Sequence, residues 1–360
     1  MVKNNKILVD VLTPKHALFF NSLHPRLVKK NFEVIFTTRK YSEVEGMLDF
    51  LKIDAQILGR HGGADPLGKL LAYSERVRLL ANVVKKEHPA IILSGGSPEA
   101  ARVAFGLKIP HFMVNDSPHA FAVGRLTAPL SNKILTPWVI SVRDWLALGA
   151  PEGSVERYRG LDPVIWLKDF KPNKSVLSEL NLETDKPIIS YRPEEFKASY
   201  LDSREPKTPL LIKKILSKLK VRLNTDFQFV IMARYGSHKP YYQYFGKEVT
   251  YADKCIDARS LIYFSSVFIS GGGTMLTESA LLGTPTISIY PGLTKIEEYL
   301  LKKKLACKHR NQYSTERILF SFLTMPNSTK EAMRAKAQQV LKHMEDPGDK
   351  LLMLIEKSLL

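Results

Sequence analysis

The stretch VFISGGGTMLTESALLGTP, residues 267–285, decides the fold of this chain. An apolar, β-prone segment runs directly into Gly271, Gly272 and Gly273, and Thr274 then opens a helical pattern. A strand that ends in glycines and continues as a helix is typical of a parallel sheet whose strands alternate with helices. The free N–H groups at such a helix start favour an anion, such as a diphosphate.

Glu278 lies one turn into the same helical pattern, where its carboxylate can accept hydrogen bonds from the hydroxyls of a ribose. The alternative is a tight turn between strand and helix that binds nothing, with Glu278 on the helix surface. The pattern is neither GxGxxG nor a P-loop, so the turn alone leaves both interpretations open.

The same alternation of strands and helices extends outward in both directions. In the second half, strands are predicted at PIISYRP (187–193), FQFVIMARYG (227–236) and TPTISIYPG (284–292), with a helix over 209–223. Arg192 and Arg234 lie at the ends of the first two of these strands, where a guanidinium can pair with phosphate oxygens or simply remain on the surface.

The first half repeats the pattern. Its predicted strands are KILVDVL, FEVIFTT, AIILS, HFMVN and KILTP. Thr13 and Pro14 give a helix start after the first of them. The stretch VERYRGLDPVIWLKDFKPN is rich in turn residues and is predicted to be a linker, so two Rossmann-like domains are expected, at 1–172 and 173–360.

Composition bounds the function without deciding it. Of 360 residues, 44% are hydrophobic and 25% are charged, as expected of a folded globular protein. The two cysteines cannot form a disulfide framework, which fits a cytoplasmic setting, and no apolar run reaches membrane-spanning length. The net charge of +17 is explained by solvated helix faces on a basic surface. The alternative is an anionic partner: a phosphorylated substrate, a membrane surface or, less well because aromatics are not interleaved, nucleic acid.

Polar residues follow several predicted strands of the first half, and each has a simpler structural alternative. The candidates for the acceptor side or for catalysis are His16, His61, Ser94, Gly95, Gly96, Ser97, Asp116 and His119. His16 lies in the first turn of a helix, whose N-terminus keeps an imidazole neutral, as a base must be, but it is equally explained as a solvated residue. Asp116 is also a possible helix cap, and the glycines are possible turn residues.

SGGGTMLTESALLGTP resembles the nucleotide-binding element of the GT-B clan, which includes the non-hydrolysing UDP-N-acetylglucosamine 2-epimerases and the N-acetylglucosaminyltransferase that makes lipid II. Together with DVLTPKHALFF and RYRGLDPVIWLKDFKP, it more closely resembles an archaeal-type family of GT-B-like proteins known only as a domain of unknown function. The resemblance spans nearly the whole chain. It implies a GT-B-like α/β fold with two Rossmann-like domains facing a cleft, a hinge at about 150–175, and C-terminal helices able to cross back.

The resemblance also implies roles for individual residues. Gly271 to Thr274 would hold the diphosphate of a sugar nucleotide, with Glu278 on the ribose and Arg192 and Arg234 beside them. His16 or Asp116 would be the base that deprotonates an acceptor hydroxyl. GT-B transferases work without a catalytic metal, and no bound cofactor is implied.

The leading hypothesis is therefore an enzyme, a GT-B glycosyltransferase that uses a UDP-sugar or another NDP-sugar. An NDP-sugar epimerase or hydrolase ranks second. Where the 2-epimerases have an acidic residue in a strand-end turn the chain has SGGS, and where they have a His-Arg pair it has Tyr191 and Arg192. A non-catalytic binding or scaffold protein is the third hypothesis. A lipid-phosphate acceptor, with peripheral attachment at the inner face of a membrane, would account for the positive charge.

Overall fold

The computed structural model describes residues 5–194, 208–223, 226–232, 245, 249–252, 254–309 and 311–359. The chain divides into two compact units, the first reaching Trp166 and resuming at Met344, and the second covering Leu167–His343. The predicted domain boundary near residue 172 stays a prediction. The division between the two compact units falls a few residues earlier, and the last helix belongs to the first unit.

The first unit is a seven-stranded sheet with helices between its strands. Its elements are β1 (Lys6–Val11), α1 (Pro14–Lys29), β2 (Glu33–Lys40), α2 (Ser42–Leu51), β3 (Ala55–Arg60), α3 (Pro66–Glu87), β4 (Ile91–Ser94), α4 (Pro98–Gly106), β5 (His111–Val114), α5 (Phe121–Thr127), a 3-10 turn (Ala128–Leu130), β6 (Lys133–Pro137), α6 (Val142–Leu146), β7 (Val155–Tyr158) and α7 (Val164–Leu167), which ends at the division. The strand order is β3-β2-β1-β4-β5-β6-β7, and every pair is parallel.

The second unit repeats this design with six strands. Its elements are α8 (Ser175–Glu179), β8 (Ile188–Arg192), α9 (Thr208–Leu223), β9 (Gln228–Ile231), β10 (Val249–Tyr251), α10 (Ala258–Phe264), β11 (Val267–Ser270), α11 (Thr274–Leu282), β12 (Thr286–Ser288), α12 (Lys295–Lys302), β13 (Cys307–Lys308), α13 (Gln312–Leu323) and α14 (Asn327–Lys342). The order is β10-β9-β8-β11-β12-β13, again all parallel. The prediction of two doubly wound parallel sheets is confirmed.

Local chemistry explains where the helices begin. The Thr13 hydroxyl accepts the N–H of His16 at the start of α1, and Pro14 occupies the first turn. Ser97 caps α4 in the same way, accepting the N–H of Ala100 at 3.1 Å. Every residue of β4, β5 and β11 is buried, as expected of central parallel strands covered on both faces.

Val155–Tyr158 corrects the linker prediction, because it forms the edge strand β7 and pairs with β6. Its sequence, VERY, carries two charged residues, which an edge strand tolerates and a central strand does not. The polar character that made this segment look like a linker is therefore the character of a sheet edge.

The last helix, α15 (Pro347–Leu359), packs on α1 within the first unit. Arg26 of α1 contacts Asp346 at 2.7 Å and Asp349 at 2.8 Å, and Leu351 and Ile355 are fully buried. Among the residues described, no helix has both the length and the apolar character needed to span a membrane.

Candidate functional site

Each sheet has one point where the strand order reverses, and ligands of doubly wound folds bind beyond the carboxyl ends of the strands at that point. In the first unit the reversal lies between β1 and β4, and in the second between β8 and β11. Asp10 and Ser94 flank the first reversal as register partners, and Arg192 and Ser270 flank the second. The sequence-predicted turns at 94–97 and 270–274 follow directly.

A buried charge network lies beneath the first reversal point. Asp10 and Arg76 have no solvent exposure. Arg76 donates to both carboxylate oxygens of Asp10 and also lies 3.5 Å from Glu99, while Thr37 donates to Asp10 at 2.7 Å. Burial alone would raise the pKa of Asp10, but the Arg76 guanidinium lowers it below its usual value. This network of paired charges therefore supports the Ser94–Ser97 turn.

A second buried network fixes the turn itself. The Ser131 hydroxyl donates to the carbonyl of Thr127, so it must accept from Nδ1–H of His111, which lies 3.0 Å away. The other ring nitrogen, Nε2, then accepts from the Ser94 hydroxyl at 2.9 Å. The Ser94 oxygen in turn accepts the N–H groups of Gly96 and Ser97, each at 3.2 Å. A neutral His111 thus holds the turn from below.

This arrangement predicts an acid-sensitive first unit. Burial lowers the pKa of His111 from 6.5 to about 4. Between these values the unfolded chain binds a proton at this residue and the folded chain does not, so stability falls as the pH drops from about 6.5 towards 4. At about 1.4 kcal/mol per pKa unit, the loss attributable to His111 is about 3 kcal/mol.

Urea unfolding of the wild type and of His111→Gln at pH 7.0 and pH 4.5 measures this effect. Glutamine keeps hydrogen-bonding groups but cannot gain the proton, so the difference between the two pH values should shrink in the variant. An equal pH dependence in both proteins would contradict the assignment of a neutral His111.

His16 lies against the same turn. A Cβ added to Gly95 would lie 2.1 Å from Nε2 of His16, so the imidazole occupies the space that a side chain at position 95 would fill. Gly96 has φ +106°. The carbonyl of Gly95 accepts a hydrogen bond from the side-chain amide of Asn115 at 3.0 Å. These two glycines are therefore needed for close packing and for backbone geometry, whatever ligand the turn binds.

The imidazole of His16 is held neutral. Burial, followed by the neighbouring Lys15 ammonium, lowers the pKa of His16 to about 3. Its Nδ1 is buried and has no hydrogen-bond partner among the residues that the structure describes. A neutral ring with an unused nitrogen can accept a proton or a hydrogen bond from a ligand, although such a low pKa makes it a weak base in the unliganded protein.

Asp116 belongs to a cluster that also contains Lys15 and Asp162. The Lys15 ammonium lies 2.6 Å from a carboxylate oxygen of each aspartate, and Tyr158 donates to Asp162. Although burial opposes both effects, Lys15 lowers the pKa of Asp116, and the two carboxylates raise the pKa of Lys15. Asp116 is thus an ionised carboxylate at the strand edge and not a helix cap.

The two other histidine candidates lie at the edge of this region. His119 is exposed, three residues beyond Asp116. The His61 ring stacks on Tyr41 with centroids 4.7 Å apart, and its Nδ1 accepts the N–H of Gly63 at 3.0 Å. His61 is therefore an ordered residue at the carboxyl end of β3.

Sequence reasoning missed most of the charged residues around these candidates: Asp10, Lys15, Arg39, Arg76, Glu99 and Asp162. Asp10 carried a usable signal, because a carboxylate within the apolar strand KILVDV is expensive to bury without a partner. Lys15 and Asp162 carried none, since their contact joins residues that are distant in the chain.

In the second unit, the glycine turn is shaped by two close approaches. A Cβ on Gly271 would lie 2.2 Å from the backbone nitrogen of Glu194, and one on Gly272 would lie 3.0 Å from the Tyr290 ring. Gly272 and Gly273 have φ of +100° and +82°. Gly273 caps α11 without any side-chain hydrogen bond, and no acidic residue lies in the first turn. The helix start therefore offers its N–H groups to an anion.

The other residues predicted to bind the nucleotide lie in different surroundings. Arg192 ends β8 beside this turn and donates to the Met232 carbonyl at 3.0 Å. Glu278 is 3% exposed, in the buried part of α11. Tyr191 belongs to the hydrophobic core of the second unit, as does Ile189, two residues earlier in β8. Arg234 lies outside the described residues.

A buried ion pair adjoins the turn on its other side. Glu297, with a side chain 1% exposed, accepts from Ser288 and from Lys308, the latter at 2.9 Å. Lys308 also donates to the Gly292 carbonyl, and its ammonium lies 5.8 Å from the Tyr290 ring centroid. This pair fixes the 289–294 loop and so holds Tyr290 against Gly272. Within the described part of the chain, no group of three or more His, Cys, Asp or Glu residues could hold a metal ion.

Comparison with known proteins agrees with this architecture. The model of a family described as "Protein of unknown function (DUF354)" matches residues 5–353. The uncharacterized protein MJ0665 of Methanocaldococcus jannaschii is 30% identical over 312 residues, which cover 83% of this chain and 86% of that protein.

Solved structures share the fold at low sequence identity. The S. aureus MnaA-UDP co-structure has a TM-score of 0.75 at 15% identity and covers 99% of this chain and 97% of that one. The M. jannaschii UDP-GlcNAc 2-epimerase, in complex with UDP-GlcNAc and UDP, has a TM-score of 0.72 at 15% identity, covering 98% and 99%. A glycosyltransferase from Rickettsia africae ESF-5 has 0.63 at 15% identity, covering 99% of each chain. These likenesses show that the fold is GT-B-like.

Proposed function

Because the chain belongs to the DUF354 family, whose function is unknown, we propose from its own residues that it is a sugar-nucleotide-dependent glycosyltransferase of GT-B type. The observation that carries the proposal is the start of α11. There a helix N-terminus without a side-chain cap follows three glycines at the carboxyl end of β11, next to the strand reversal of the second sheet. A diphosphate is the group that such a turn binds best.

The donor is then held by the second unit. The diphosphate lies on the N–H groups after Gly273, and Arg192, at the neighbouring strand end, neutralises part of its charge. Glu278 accepts from the ribose. The solved relatives by fold include proteins named as complexes with UDP or UDP-GlcNAc, which supports a UDP-sugar as donor.

The acceptor belongs to the first unit. A base must take the proton of its hydroxyl as the sugar is transferred, and His16 and Asp116 lie at that strand edge. Their charges differ at neutral pH, since His16 is neutral and Asp116 is an ionised partner of Lys15. His16→Gln and Asp116→Asn should each abolish transfer while leaving nucleotide binding intact, whereas a pure binding protein would lose no function from either change.

An NDP-sugar 2-epimerase is the second candidate. The observation that favours it is the Lys15, Asp116 and Asp162 cluster, which supplies charged acid and base groups in addition to His16. Several solved structures of the same fold are named as 2-epimerases. A lipid-phosphate acceptor and attachment to an anionic membrane stay proposals, supported by the net charge of +17.

Calorimetric titration with UDP, GDP, ADP, CMP and UDP-N-acetylglucosamine tests the proposal. We expect one nucleotide class to bind and the binding to disappear in Gly272→Asp and in Glu278→Ala. Tyr313→Ala, at an exposed aromatic of the same unit, is the matched control and should bind normally. Failure of the wild type to bind any of these compounds would remove the transferase and the epimerase together.

Deuterium exchange separates the two chemistries. Inversion at C2 of UDP-N-acetylglucosamine requires removal and return of the C2 proton, so an epimerase working in D2O incorporates deuterium there without an acceptor. A transferase leaves C2 unlabelled. The mass of the recovered sugar nucleotide decides between them.

A further inference from the structure

Arg39 is a cation of the first unit for which the described residues provide no countercharge within ion-pair distance. It lies at the carboxyl end of β2, two residues beyond Thr37, where the charges of Glu99 and Asp10 act on it. Two nearby cations are neutralised, Arg76 by Asp10 and Glu99, and Lys15 by Asp116 and Asp162. Arg39 therefore lies near a network of charges that are already paired with one another.

The guanidinium is partly enclosed. The side chain is partly exposed, but its Nε is buried and makes no hydrogen bond to any described residue. The guanidinium carbon lies 5.9 Å from the centroid of the Tyr41 ring. Burial lowers the pKa of Arg39 from its usual value, and the more distant carboxylates of Glu99 and Asp10 offset only part of this. Arginine still stays charged at neutral pH, so its desolvation is only partly compensated.

The surroundings are suited to a ligand. Tyr41 also carries the stacked His61 ring, and the neutral His16, which senses the charge of Arg39, lies against Gly95. A planar guanidinium with an unused N–H, whose charge acts on an imidazole with an unused nitrogen, matches a phosphate or carboxylate group that also carries a hydroxyl.

We propose that Arg39 binds an anionic group, a phosphate or a carboxylate, on the acceptor substrate. The proposal rests on the proposed function, and it adds that the acceptor is charged and that its anion lies at the β2 end of the first unit. An anion there completes the charge balance of the strand edge and places an attached hydroxyl towards His16.

The experiment is a calorimetric titration of the full chain, first saturated with UDP, with inorganic pyrophosphate and with geranyl phosphate. Arg39→Gln should weaken the binding of both probes at least about tenfold, and Arg39→Lys, which keeps the charge but not the fork, should fall between Gln and wild type. Arg78→Gln, at an exposed arginine of α3, is the matched control. UDP affinity should be unchanged in all three variants.

Tighter binding of geranyl phosphate than of pyrophosphate would assign the anion to a lipid acceptor, and equal or weaker binding would assign it to a water-soluble one. Binding of both probes to Arg39→Gln within twofold of wild type would overturn the inference. If UDP does not bind at all but the probes still depend on Arg39, the inference stands and the proposed function fails. Unchanged thermal unfolding of Arg39→Lys shows that lost binding is not lost folding.

Discussion

Replacing Arg76 with alanine is expected to lower the free energy of unfolding of the first unit by about 3–5 kcal/mol, because it leaves a buried carboxylate without its counterion. Arg76 and Asp10 have no exposure, and Glu99 shares the same guanidinium. Arg76 also donates to the Leu58 carbonyl at 3.2 Å, which would lose this partner too. The neighbouring hydroxyl of Thr37 cannot replace a full positive charge.

The three tryptophans of the chain, at positions 138, 145 and 166, all precede the second unit, so their fluorescence during urea unfolding reports on the first. Arg78→Ala, on the same helix but exposed, should change stability by less than about 0.5 kcal/mol. Asp10→Asn combined with Arg76→Met should recover part of the loss, since both charges are removed. A loss below about 1 kcal/mol in Arg76→Ala would show that Asp10 is not charged in the folded protein.

Gly271→Ala is expected to weaken nucleotide binding about a hundredfold, because it displaces the turn of the proposed diphosphate site. The added methyl group would overlap the backbone of Pro193 and Glu194, which cannot rotate away as a side chain can. The hydrogen bond from Gly271 N–H to the Arg192 carbonyl, 2.8 Å long, couples this displacement to the end of β8. Both halves of the proposed diphosphate site therefore move together.

Titration calorimetry with UDP measures this loss. Gly106→Ala is the control, because its methyl group meets only the flexible end of Arg102, at 3.2 Å, and alanine favours the helix that glycine ends. A Gly271→Ala protein that binds UDP normally would mean that the ligand does not use this turn.

The fold was predictable where a strand or a helix start carries its own local signal. VFIS followed by three glycines, and Thr13 followed by Pro14, depend on neighbours in the chain, and the structure has the corresponding elements there. The edge strand β7 was misread as a linker because an edge strand satisfies only one side of its backbone and tolerates the charges of VERY.

The candidate site was predictable only in part, because only some of its residues carry a local signal in the sequence. Strand-end residues such as Ser94 and Asp116 follow apolar runs and can be found from the pattern. The pairing of Lys15 with Asp162, or of Arg76 with Asp10, depends on which strands and helices become neighbours in space. The sequence therefore indicates where a ligand binds before it indicates which charges remain available to bind it.

The packing of α15 on α1 affects the order in which the protein can fold. A ribosome completes the whole second unit before it makes the helix that buries Leu351 and Ile355 and pairs Arg26 with Asp346. The first unit, although translated first, therefore waits with an uncovered apolar face on α1. The packing of the first unit is therefore completed only after the second unit has been synthesised.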